Sequence, residues 1–138
     1  MKDVKRVLTH DGVSYPLVFN LNVWETIQEE YGSVDHWGDM TDGTYYAKKE
    51  MSPEQWESLT EEEKAHYKHE PDVKAIKFGF AEMINEGIDI ENEERGENRP
   101  PLSLKQVGRL ITGLGLEKVA KELNTTVIES TAHEQKNE

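Results

Sequence analysis

Cysteine is absent from the 138 residues, which removes disulfide staples, thiol nucleophiles and cysteine metal sites together. An intracellular protein fits that composition. No apolar run approaches the roughly 20 residues that a bilayer span needs, and Met1–Asp11 lacks the apolar stretch of a secretion signal. The expectation is a cytoplasmic chain without a membrane partner. Cations are few: 16 Lys and Arg stand against 28 Asp and Glu, a formal net charge of −12. A phosphate-backbone binder needs the opposite balance to displace counterions, so nucleic acid is not an expected partner. Large apolar residues are also scarce. Leu, Ile, Val and Phe number 30, only slightly above the roughly 20% under which highly charged chains stay unfolded. That fills one thin core and no second one.

What is present reads as an α+β chain, mostly α, with an N-terminal β-hairpin packed on four to six helices. Val4–Thr9 and Val13–Phe19 flank a turn read as His10-Asp11-Gly12, in which the Asp-Gly dipeptide accepts the positive φ of a tight hairpin. Tyr15, Leu17 and Phe19 alternate on one face, and Pro16 calls for an edge position or a lost ladder bond. Asn20 caps a helix over Leu21–Tyr31 that ends at Gly32, with Leu21, Trp24, Ile27 and Tyr31 as its apolar stripe. A short turn carries Val34 and Trp37. Residues 41–70 form a polar helical insertion: Ser52-Pro53-Glu54-Gln55 and Thr60-Glu61-Glu62-Glu63 are both helix starts of the capping-box type. They predict helices over Pro53–Leu59 and Glu61–His69, anchored by Trp56, Leu59 and Tyr67.

Pro71 opens a longer helix from Asp72 to about Asn85, with Gly87 as its expected end. Residues 89–101 are read as an acidic, turn-rich loop. Ser103 caps a helix bearing Leu104, Val107, Leu110, Ile111 and Leu114. After Gly113 or Gly115, Leu116, Val119, Ala120, Leu123 and Val127 continue on another. Residues 130–138 show no periodicity and are expected to be a disordered tail, leaving one domain over residues 1–129.

Catalytic signatures are missing. There is no Gly-x-Ser-x-Gly, phosphate loop or dinucleotide fingerprint. His66 and His69, three apart near Glu63 and Glu70, invite a metal site and a hydrolase reading, but lack a distant third ligand and read as part of a solvated helix. Asp89-Ile90-Glu91-Asn92-Glu93 alternates oxygen ligands like a calcium loop, yet its sixth position is Glu94 and its twelfth Pro100, which excludes an EF-hand. Neither a metal nor any other cofactor is expected, and the chain is not read as an enzyme. The acidic balance allows an inhibitor that mimics DNA and fills a basic groove. The Lys residues at 74, 77, 118 and 121 dilute that pattern.

The order of segments carries more information than any catalytic motif. The hairpin leads through Phe19-Asn20-Leu21-Asn22 into a helix ending Tyr31-Gly32. A middle helix follows, and then the run Leu102-Ser103-Leu104-Lys105-Gln106-Val107-Gly108-Arg109-Leu110. This layout resembles the tail assembly chaperones of long-tailed phages and prophages of Gram-positive bacteria. Those proteins open with a hairpin, Phe-Asn/Asp-Leu-Asn and a helix ending Tyr-Gly, and later carry Leu-Ser-Leu-x-x-Val-Gly-x-Leu. The likeness spans about Val13–Leu123, and the 41–70 insertion departs from it. The resemblance implies a non-catalytic protein that binds the tape measure protein during tail morphogenesis, with the tail tube protein close by. It also implies self-association, and absence from the finished virion. Many relatives make a longer second product by ribosomal frameshifting, and Gln135-Lys136-Asn137 can be encoded by a slippery sequence. Tyr15, Leu17, Phe19, Trp24, Leu110, Leu114 and Leu123 are the expected partner-binding residues.

Overall fold

The computed structural model of the chain describes residues 1–136, with side chains described through residue 132. Strands β1 (Lys5–His10) and β2 (Val13–Val18) form an antiparallel hairpin in which His10 pairs with Val13. His10, expected in the turn, instead ends β1, so the turn is the two residues Asp11 and Gly12, at φ 50° and 77°, the double positive φ that Asp-Gly supplies at low cost. A two-residue turn makes His10↔Val13 a hydrogen-bonded pair, and alternation then places Leu8↔Tyr15 and Arg6↔Leu17 in the same class. Val7↔Pro16 falls on a non-bonded pair. Pro16 thus occupies a site where a backbone N–H would point away from β1, and the hairpin loses nothing.

Eight helices follow among the described residues: α1 (Leu21–Tyr31), α2 (Val34–Thr41), α3 (Thr44–Lys49), α4 (Pro53–Ser58), α5 (Glu61–Tyr67), α6 (Val73–Arg95), α7 (Leu104–Leu114) and α8 (Leu116–Lys136). The mostly helical α+β class is as expected, with more helices than the four to six anticipated and with α6 and α8 longer than their expected spans. No helix among the described residues is long and apolar enough to cross a membrane.

The central element is α6, which packs against β2, α1, α2, α7 and α8. Its buried residues, Ala75, Ile76, Gly79, Phe80, Ala81, Met83, Ile84, Gly87 and Ile88, cover most of its circumference, the pattern of a helix surrounded by others. Val23 and Ile27 of α1, Trp37 of α2, Val107 and Ile111 of α7, and Val119 and Leu123 of α8 complete one core with Leu8, Leu17 and Phe19.

Gly87 does not end α6. A Cβ there would lie 2.8 Å from the Pro16 ring, so this glycine is the notch into which the hairpin settles. Gly79, two turns earlier, does the same for Trp37: an added Cβ would collide with the indole, whose Nε1 donates to the Ala75 carbonyl at 2.9 Å. The helix runs on to Arg95 and closes at Gly96, φ 65°. The expected loop over 89–101 is therefore half helix, and Glu91 within it receives the Lys5 ammonium at 3.1 Å.

The expected disordered tail is corrected likewise. Helix α8 continues through residue 136, while residues 137–138 lie outside the described residues. Its inner face is continued by Thr126 and Ser130, both fully buried. Their hydroxyls donate to the carbonyls of Glu122 and Thr126 at 2.7 Å each, which removes the cost of burying them. Ser130 also accepts, through its carbonyl, the backbone N–H of Lys2 at 2.6 Å. Arg6 reaches Glu122 at 2.7 Å and Glu129 at 3.1 Å, so the N-terminal strand and the last helix hold each other.

The insertion contains α4 and α5 as expected, both with complete capping boxes, and adds α3, which follows Gly43 at φ 79°. Its two ends meet. The His69 N–H donates to the Gly43 carbonyl at 3.0 Å, and that of Asp72 to Met40 at 2.9 Å. Trp56 is buried, with Lys64 Nζ over its ring at 5.4 Å, whereas α5 buries no residue at all.

Candidate functional site

The seven residues expected to meet a partner divide into two groups. Leu17, Phe19, Leu110 and Leu123 belong to the core, each 6% exposed or less. Truncating any of them would cost about 2–5 kcal/mol of stability, so a binding loss there would report unfolding. Tyr15, Trp24 and Leu114 are half-buried against the same core. Trp24 lies beside Phe19, with ring centroids 5.8 Å apart, and Tyr15 carries the Arg99 guanidinium at 5.3 Å. These seven do not form one exposed surface.

The two motifs that carry the family resemblance can be taken residue by residue. Phe19 is core. Asn20 caps α1 by accepting from the Val23 N–H at 3.2 Å, and its amide donates to Glu86 at 2.7 Å. Asn22 donates to the same carboxylate at 3.0 Å. Leu21, between them, is 69% exposed; it lies off the apolar stripe, whose inner positions are Val23 and Ile27. In the later motif Ser103 and Gln106 form a capping box, and Val107 and Leu110 are core. Leu104 is 55% exposed. Each motif therefore gives all its named apolar side chains but one to the fold, and the exception is the first residue of a helix.

Between α1 and α6 lies a polar cleft of about 290 Å³, closed on its third side by residues 96–103. Asn22 and Thr26 face Glu82, Glu86 and Asp89 across it, and Arg99 stands at one end. Burial pushes the Glu82 carboxyl above the usual carboxylate range, and the neighbouring Glu86 charge adds to the rise.

Two asparagines seven residues apart on α6 hold the closing segment. The Asn85 amide donates to the Leu102 carbonyl at 3.0 Å and accepts the Leu102 N–H at 2.8 Å. Asn92 does the same with Arg99, at 2.9 and 3.0 Å. An amide side chain paired in this way replaces a strand partner for the peptide unit, which orders a segment too polar to be held by burial. Arg99 then reaches the hairpin, donating to the Ser14 carbonyl at 2.9 Å. Sequence periodicity gave no sign of these clamps. The spacing of Asn85 and Asn92, on one helix face, was the available signal.

No group of three His, Asp or Glu among the described residues is placed to hold a metal ion. His69 instead contacts Glu50 at 2.7 Å and stacks edge-on with Tyr46. The cleft offers amide donors and carboxylate acceptors, which suit polar recognition. Comparisons with protein-family models, with curated proteins and with solved structures find no match.

Proposed function

We propose that this protein is a non-catalytic tail assembly chaperone that binds the tape measure protein in the bacterial cytoplasm while the tail is built. The observation that carries the reading is the use made of the two resemblance motifs. Their capping and core residues build α1 and α7, while Leu21 and Leu104 leave apolar side chains in solvent at the starts of those helices. An exposed leucine alone means little. Two of them, at the one outward apolar position of each motif, support the reading that a client's apolar stripe is received there. Asn22, next to Leu21, and Pro101, shortly before Leu104, line the same cleft, so the contact extends along its rim. The net charge of −12 keeps a loaded complex dispersed.

Co-expression with a tape measure protein, followed by pull-down at low and high salt, tests this. An apolar contact survives high salt, and the partner stays soluble. A complex with a basic host enzyme that dissolves as salt rises would instead identify an acidic mimic.

A further inference from the structure

The two outer edges of the hairpin are treated differently. That of β2 is guarded: Pro16 presents no N–H there, Arg99 caps the Ser14 carbonyl, and α6 lies alongside. That of β1 is open. The alternation fixed by the two-residue turn directs the N–H and C=O groups of Lys5, Val7 and Thr9 outward, and among the described residues none of them has a hydrogen-bond partner. These three residues are also exposed, Val7 to 53%.

We infer that the β1 edge pairs with β1 of a second copy, antiparallel about a two-fold axis at Val7, to give a four-stranded sheet in the order β2-β1-β1-β2. In that register Val7 faces Val7, and Lys5 faces Thr9 from either side. On the opposite face Arg6 lies across from Leu8. No paired strand position sets like charges against each other, and three pairs supply six backbone hydrogen bonds.

Charge selects this occupant. Lys5 and Arg6 are already neutralised by Glu91, Glu122 and Glu129 of their own chain, so an acidic peptide gains little at this edge. Elsewhere the molecule carries the excess behind its net charge of −12, as in the three consecutive carboxylates Glu61, Glu62 and Glu63 of α5. Among the described residues only Glu61 of these three meets a cation of its own chain, Lys64 at 3.9 Å, and that excess repels a second copy. Here the approach is close to neutral. A six-residue edge is small beside the roughly 1,200–2,000 Å² of a stable complex, so the dimer is weak and forms with rising concentration. This contact adds to the chaperone reading and does not depend on a client.

The test uses the full chain alone. Sedimentation velocity over a wide concentration series is expected to show monomer passing to dimer. Hydrogen exchange should show the Val7 amide gaining protection along that series, while the Leu8 amide, already paired inside the hairpin, stays protected throughout. Val7→Lys sets two like charges at the axis while altering an exposed side chain, and is expected to abolish dimer at every concentration with an unchanged circular dichroism spectrum. A wild-type chain that stays monomeric throughout overturns the inference. So does a dimer whose Val7 amide remains unprotected, or one that Val7→Lys leaves intact. Failure to capture a tail protein would count against the chaperone reading and leave this result untouched.

Discussion

At the scale of single residues, two substitutions separate this fold from generic expectation. Alanine in place of a mid-helix glycine ordinarily stabilises by roughly 0.5–1 kcal/mol. Gly79→Ala should do the reverse, because the new methyl meets the Trp37 indole. The expected loss is about 1–3 kcal/mol, the range of overpacked cores, read as a lower urea midpoint with an unchanged slope. Glu82 supplies the second test. Its carboxyl titrates above the ordinary range through burial and the Glu86 charge, so between those two values the folded chain binds more protons than the unfolded one. The contribution of Glu82 to stability is then greatest below the ordinary glutamate pKa and is lost as pH rises through the raised one. Glu82→Gln should flatten that decline and raise the urea midpoint at neutral pH. A pH profile parallel to wild type would contradict the assignment.

At the scale of elements, legibility in the sequence followed the kind of force that ends or extends a segment. Local chemistry is readable: the Asp11-Gly12 pair makes its turn, though His10 joins β1, and the helix starts at Ser52, Thr60 and Ser103 stand where the residues place them. Tertiary use of a residue is not. Gly87 has the look of a terminator and serves as a notch for Pro16. Helix α8 outran its apolar stripe because its inner face passes from Val119 and Leu123 to Thr126 and Ser130, whose hydroxyls bond back along the helix. Of the candidate site, the sequence marks Trp24 and Tyr15, which are only partly exposed. Helical spacing puts Leu21 on the stripe, yet it is exposed, and the Asn85 and Asn92 clamps depend on partners outside their own helix.

The clamps make an element-level prediction. Asn85→Asp keeps the acceptor for the Leu102 N–H but sets a carboxylate oxygen against the Leu102 carbonyl in place of a donor. Losing that bond is expected to cost about 1–3 kcal/mol, with faster exchange concentrated in residues 96–103. Helix α5 offers the contrasting case. It buries nothing, and a helix of this length is marginal without tertiary support, so its cap sustains it. Thr60→Ala should increase proteolytic cleavage within 60–67 and leave the global thermal midpoint unmoved. A concerted drop in that midpoint would show that α5 belongs to the cooperative core.

At the scale of the molecule, a thin core is organised around one long helix, and most of the charge is left to solvent. The economy is visible in α6, which serves hairpin, helices and closing segment at once. Opposite ends of the chain are tied by Arg6 to Glu122 and Glu129 and by Lys2 to Ser130, while residues 44–68 leave and return at the Gly43–His69 contact. The insertion at 41–70 can therefore be carried without disturbing α1, α6 and α7, which bear the proposed client surface.

The most direct test of that surface is quantitative pull-down of the co-expressed tape measure protein, in high salt, by wild type and by the Leu21→Ala/Leu104→Ala double variant. Both leucines are largely exposed, so each substitution should change the unfolding free energy by no more than about 0.5 kcal/mol. The account predicts stable capture by wild type and at least a tenfold loss in the variant, a deficit of about 1.4 kcal/mol or more in binding free energy. Equal capture by both chains, or no capture by wild type at any salt concentration, would contradict it.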